Sequence, residues 1–202
     1  MILRRIFSGR SRGFYVDIGA HHPRRFSNTH GFYRQGWHGI NIEPNPAAIQ
    51  TFRTARGRDV NLQCGVGVEA ARVRYYLFDE PALNTFDAEV VASRLANTPY
   101  KLVGSMEVAV ERLQDILAAH LPAEQAIDFL SIDVEGYDLQ VLQSNDWQRY
   151  RPACVLVESR DTSLEEALRG NICLFMRHHS YELFAKTFNT LVFRDCAPAR
   201  AV

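Results

Sequence analysis

Short apolar runs rich in branched and aromatic residues alternate along the chain with longer stretches whose apolar positions recur at helical spacing. Phe14–Ile18 predicts a first strand, followed by a helix over 28–34 that Gly36 ends. Residues 39–42 predict a second strand, and Pro46–Ala55 a helix with proline in its first turn. A third strand is expected over 60–65 and another over 73–78, where Tyr-Tyr-Leu-Phe is strand composition. Residues 79–105 are polar and show no clear period, so they are expected to form a lid or substrate loop. Strand character returns at 106–110, then an amphipathic helix over 111–120 closed by Pro122. "IDFLSID" predicts a fully buried strand that leads through Gly136 into a helix ending near Leu142. "ACVLVES" predicts the next strand, 164–178 a helix with a misplaced glycine at Gly170, and "YELFAKTFNTLVFRD" an antiparallel hairpin about Asn189-Thr190.

Strand–helix alternation builds parallel strand pairs with right-handed crossovers, hence an α/β, doubly wound, three-layer sheet. Ligands in such sheets sit beyond the carboxyl ends of the strands. Those ends carry Asp17, Gly19 and Ala20 after the first strand, Glu43 after the second, and Cys64 with Gly65 after the third. Asp133 and Glu135 follow the fourth, and Glu158 the fifth. Carboxylates gathered at one edge repel one another and lose hydration, so fold stability alone does not select them. They are candidate parts of a site.

Composition narrows the function classes. With 202 residues and no repeat or Ser/Gly-rich linker, one domain is expected, with 1–12 a basic lead-in. Hydrophobic residues at 47% and charged residues at 23% are the balance of a soluble globular chain. No apolar run approaches the roughly 20 residues of a membrane span. The apolar pieces between Arg4, Arg5, Arg10 and Arg12 are too short for a signal-peptide core, and a cytoplasmic address is the expectation. That arginine cluster reads as a solvated terminus, and 23 basic residues against 23 acidic ones advertise no nucleic-acid partner. Cys64, Cys154, Cys173 and Cys196 form no C-x-x-C pair and are expected as buried free thiols.

Gly19 permits a tight turn and close approach of a ligand. The loop is not G-x-G-x-x-G, because His21 and Pro23 stand where a pyrophosphate needs small residues and free amides. Glu43 follows Gly19 by 24 residues, about the offset at which an acid on the second strand bonds a ribose diol. A free ribose without pyrophosphate describes S-adenosylmethionine.

The ordered series "FYVDIGAHHP", "SNT", "GWHGINIEPNP", "LNTF" and "FLSIDVEGYDLQVL" resembles the FkbM family of S-adenosylmethionine-dependent methyltransferases over about 14–195. The resemblance implies a class I methyltransferase, Rossmann-like fold: a mostly parallel seven-stranded sheet with a reversed hairpin. It implies O-methylation of a small-molecule or glycan hydroxyl. It also implies that Asp17, Gly19 and Ala20 form the cofactor loop, that Glu43, beside Pro44, is the ribose acid, and that Asp133 lies near the methyl group. Asn84 and Thr85 are placed at the acceptor border. The His21-His22-Pro23 turn departs from the simpler Asn-containing turn of many relatives.

Several residues keep more than one role. Glu43 also suits the N-terminus of the helix behind it, and Cys64 with Gly65 either lines an adenine pocket or packs as a small thiol. At most one of Asp133 and Glu135 is expected to face the acceptor unless the chain has already turned at Gly136. Asp133 is the expected general base or metal ligand; Glu135 is either catalytic or bonded to nearby amides. Glu158 either orients the substrate or pairs with Arg160. His21 and His22 suit proton removal, a divalent metal such as Mg²⁺ shared with Asp133, or packing against cofactor and acceptor. Ser27 or Asn28 is the expected N-cap, with amides that suit the cofactor's carboxylate. Rival functions are a nicotinamide-dependent oxidoreductase, disfavoured by the missing glycines, and a non-catalytic binding domain.

Overall fold

The computed structural model describes residues 2–161 and 163–197. Its strands are β1 (Phe14–Ile18), β2 (His38–Ile42), β3 (Val60–Leu62), β4 (Gly65–Val66), β5 (Ala71–Phe78), β6 (Leu102–Glu111), β7 (Phe129–Ile132), β8 (Cys154–Glu158), β9 (Tyr181–Lys186) and β10 (Thr190–Asp195). Its helices are α1 (Ile2–Ile6), α2 (His30–Arg34), α3 (Pro46–Ala55), α4 (Ala88–Asn97), α5 (Leu113–His120), α6 (Asp138–Gln143), α7 (Leu164–Arg169) and α8 (Asn171–His178). Seven strands form one sheet in the order β3-β2-β1-β7-β8-β10-β9. It is parallel from β3 to β8, and β10 runs antiparallel to both its neighbours. The sequence predicts this mostly parallel sheet with its closing hairpin.

Because β1 is buried along its whole length, its side chains alternate between two cores. Phe14, Val16 and Ile18 pack with Leu113 and Ile116 of α5, Leu142 of α6 and Met176 of α8. Tyr15 faces the other way, with Phe129 and Leu156, toward α1, α2 and Trp37. The rings of Phe7, Phe32, Trp37 and Phe129 lie 4.7 to 6.1 Å apart there. Three layers result. The basic lead-in is therefore not simply solvated: Leu3 and Phe7, which flank Arg4 and Arg5, are buried and close one face of the sheet.

Other expectations shift in their details. The strand predicted over 60–65 divides, because β4 leaves the main sheet and pairs with β6 in a three-stranded sheet of order β4-β6-β5. Residues 79–105 are not an open loop; they hold a 3-10 turn (Pro81–Leu83), α4 and the start of β6. Strand character was hidden in 102–105 because all four residues are exposed. The helix predicted over 164–178 breaks at Gly170, whose extended backbone ends α7 and precedes α8. Helix α2 opens later than predicted, with Thr29 as N-cap; the Ser27 hydroxyl accepts the Thr29 and His30 amides just ahead of it. Cys64, Cys154 and Cys173 are buried free thiols, whereas Cys196 is exposed. Among the described residues, no helix is long and apolar enough to cross a membrane.

Candidate active site

The carboxyl ends of β1, β7 and β8 converge on a cavity of about 210 Å³. Asp17, Gly19, Ala20, His21 and Asn28 line one side; Asp133, Glu135 and Glu158 line the other. A narrow extension of about 30 Å³ adds Glu43, Pro44 and Asn84. A larger cavity of about 410 Å³ lies beside Trp147, Arg151 and Asp195. It sits at the amino ends of β7 and β8, the wrong edge for a ligand in a parallel sheet.

Gly19 has φ +74, and a Cβ there would come within 1.9 Å of the Asp133 carbonyl oxygen. The glycine is thus needed for two strand ends to touch, beyond any approach of a ligand. The Gly19 and Ala20 amides donate to the Ile42 carbonyl at 3.0 and 3.1 Å, which ties the loop to β2. Glu43 completes the tie. One of its oxygens accepts the His21 amide and the other the Asn45 amide, each at 2.8 Å. Burial pushes the Glu43 carboxyl up to about 7, against the pull of those two amides. Asp17 accepts the Thr29 hydroxyl at 2.9 Å, and burial raises it to about 6. Asn28 donates to the Ser131 hydroxyl at 3.2 Å.

Residues two apart on a strand share a face, so the expectation that at most one of Asp133 and Glu135 faces the acceptor fails at the turn after β7. The strand ends at Ile132, and positive φ values at Glu135 (57) and Gly136 (106) reverse the chain. Asp138 fixes this turn by accepting the Val134 and Gly136 amides at 3.3 and 3.1 Å. Asp133 and Glu135 therefore face the same cavity. One oxygen from each of Asp133, Glu135 and Glu158 lies within 4.8 Å of the others, and His21 is not part of this group. Arg94 of α4 binds Glu135, and Arg160 reaches that same carboxylate at 3.8 Å. Arg160 thus pairs with Glu135 and leaves Glu158 beside Asp133.

The side chain of Asp133 meets cavity solvent, yet it sits deep among protein walls. Loss of bulk hydration, then Glu135, Asp138 and Asp17, push it up to about 7. Burial and the Asp133 charge push Glu158 up to about 9. Glu158 so holds its proton at neutral pH and hydrogen-bonds Asp133. A carboxyl raised in the folded chain contributes stability below its ordinary range, near 4, and that contribution is lost as pH rises through the folded value. The melting temperature of the ligand-free chain is therefore expected to fall by several degrees between pH 6.5 and 9, and to fall less in Glu158→Gln. Burial lowers His21 and His30, so they titrate below this window. A melting temperature that stays level or climbs over the same scan would contradict the assignment.

Four residues singled out from sequence line neither part of the cavity. The His22 Nδ1 accepts the Arg24 and Arg25 amides at 3.0 and 2.9 Å, so this ring shapes the turn. The Thr85 hydroxyl donates to the Glu135 carbonyl at 3.0 Å. Cys64 is packed in the main core, and Gly65 lies under the Phe86 ring. Lining residues that sequence reading passed over include Ser131, Phe26, Ala82, Tyr75 and Asn189. Ser131 was findable, since it lies two positions before Asp133 on the same strand face. Asn189 reaches the site because β10 starts opposite Glu158, a pairing that only the sheet order sets.

No curated protein matches the chain. Among solved structures, the methyltransferase FkbM from Methylobacillus flagellatus KT is similar, with a TM-score of 0.55 and 16% identity. The alignment covers 91% of this chain and 44% of that one, so this chain spans less than half of that relative. At that identity the likeness concerns the fold. A family model described as the methyltransferase FkbM domain matches residues 17–183. That span opens on Asp17 at the end of β1 and runs past Glu158 into β9, taking in every carboxylate of the cavity, and by it the chain belongs to the FkbM methyltransferase family.

Proposed function

We propose that the chain binds S-adenosylmethionine across the ends of β1 and β2 and methylates a hydroxyl oxygen of a small molecule or glycan. The carrying observation is that buried acids Asp17 and Glu43 open into the same space as Asp133, Glu135 and Glu158. A cationic methyl donor suits such a donor set, because carboxylates in a partly dehydrated cleft favour positive charge. When bound, the cofactor supplies an electrophilic methyl group.

The chain's own residues do the rest. Glu43 keeps lone pairs for the ribose hydroxyls beyond the two amides it accepts, with Gly19, Ala20 and Pro44 shaping the floor. Asp17 and Asn28 face the amino-acid end. Asp133, held near 7, is poised to take the acceptor hydroxyl's proton. Glu158 stays protonated beside it and bonds the acceptor, while Arg94 clamps Glu135. His21, held neutral by burial, packs at the junction of donor and acceptor. Asn84 and the Thr85 loop border the acceptor side. A divalent cation such as Mg²⁺ would be held by Asp133, Glu135 and Glu158 and would acidify the hydroxyl. Positioning the two reactants supplies most of the rate.

At about 210 Å³ the cavity is smaller than typical ligand clefts, which run from roughly 300 to 1,000 Å³. Ala82, on the Pro81–Leu83 turn, lines it. That turn must therefore swing outward to admit a nucleoside, which gives this part of 79–105 a lid role.

Thermal shift separates the readings. S-adenosylmethionine and S-adenosylhomocysteine are expected to raise the melting temperature, and Glu43→Gln to weaken their binding about tenfold, the scale of one charge-assisted hydrogen bond. A rise with NADH alone would overturn the proposal in favour of an oxidoreductase. The absence of a rise with any of these ligands would favour a binding domain.

A further inference from the structure

Residues 1–58 hold ten arginines and only two acids, Asp17 and Glu43, while the whole chain is neutral. Both of those acids are buried in the active site. Arg10 and Arg25 pair with Asp128 and Glu80, and Arg56 is buried against Asp59, whereas Arg24 and Arg34 lie exposed beside α2. A cavity of about 350 Å³ between α2 and the end of α3 is lined by Arg24, His30, Tyr33, Arg34 and Arg56, with no carboxylate in its wall. The His30 imidazole feels all three guanidinium groups; after burial, they hold its pKa below the usual value.

These arginines differ in what they already do. Arg56 is buried and committed to Asp59 at 3.6 Å, to the Tyr15 hydroxyl and to the Pro23 carbonyl. It serves as wall and anchor. Arg24 and Arg34 are exposed, and among the described residues neither makes an ion pair. Arg58 lies 3.9 Å over the ring of Tyr33, one of the cavity's walls. Two free guanidinium forks facing one concavity match the oxygens of a tetrahedral anion, each able to donate two parallel N–H bonds. Concavity favours a discrete group over a flat polyanionic surface.

We propose that this cavity binds a phosphoryl anion, such as a phosphomonoester or pyrophosphate, at a site separate from the methyl-transfer cavity. The two share one loop: Pro23 and Arg24 face the anion cavity, and His21, Phe26 and Asn28 face the other. Arg56 pins that loop through the Pro23 carbonyl and the Ser27 hydroxyl, so the site is built on a fixed frame.

The test is calorimetric titration of the full chain with inorganic pyrophosphate at constant ionic strength. Saturable binding is expected, weakened at least about tenfold in Arg24→Ala/Arg34→Ala, whose lost forks are charge-assisted. A cooperative melt within a few degrees of the parent shows the variant folded, whether or not S-adenosylhomocysteine binds. Absence of saturable pyrophosphate binding, or equal affinity in the folded variant, overturns the site. Binding to anionic vesicles or oligonucleotides with pyrophosphate silent also overturns it, in favour of a macromolecular surface.

Discussion

Arg56→Leu is expected to destabilise the chain by about 3–5 kcal/mol, the range for breaking one partner out of a buried ion pair. The Arg56 side chain is 1% exposed and its partner Asp59 0%. Asp59 also accepts the Tyr15 hydroxyl at 2.6 Å, the Gly39 amide at 3.0 Å and the Asn41 amide at 2.9 Å. Removing the guanidinium leaves that carboxylate buried without a cation and orphans the Pro23 carbonyl, which takes two of its N–H donors. A loss of this size is a large part of the 5–15 kcal/mol that holds an ordinary domain together. Urea unfolding measures it, and adding Asp59→Asn should restore part of the loss, since the neutral amide no longer needs a cation. A single-variant loss under about 1 kcal/mol would show the pair to be dispensable. Because Arg56 pins the 23–29 loop, the same change should loosen the side of the active site that carries Asn28.

Asp133→Asn is expected to lower methyl transfer about 10²- to 10⁴-fold, the usual scale of a positioned general base, while S-adenosylhomocysteine affinity stays within a few fold. Asparagine keeps the shape and the Asp133 backbone contact with Gly19 but cannot take a proton. In the parent, the rate should rise with pH through about 7 as Asp133 ionises. Glu158→Gln makes the contrast: Glu158 already carries its proton, so the amide should retain most of the rate. The measurement is tritiated-methyl transfer to the first acceptor found in a panel of sugars and hydroxylated metabolites, with Mg²⁺ and EDTA arms. Turnover of Asp133→Asn within threefold of the parent would remove Asp133 as the base.

These two residues show how unevenly the molecule can be read. Asp133 was visible because it ends the strand whose burial is clearest in the sequence, and a carboxylate at such a strand end has no stabilising reason to be there. Arg56 was invisible. It follows an ordinary amphipathic helix, and nothing local distinguishes it from the exposed Arg53 and Arg58 on either side. Asp138 and Arg94 were missed for the same reason, since each acts on the Asp133–Gly136 turn only after the chain has folded back.

The sequence alone determined the strand–helix alternation, the mostly parallel sheet with its closing hairpin, and the acids at the strand ends. These follow from periodicity and from which backbone polar groups must pair, both local properties. Tertiary structure decided the second sheet, because only folding brings β4 and β5 to either side of β6, whose first four residues are exposed. It also decided that Asp133 and Glu135 meet Glu158 at one cavity, because positive φ at Glu135 and Gly136 ends the strand and turns the chain there. And it decided where the arginines go. Net charge is a sum over the chain, whereas a binding surface depends on which charges folding leaves unpaired and side by side.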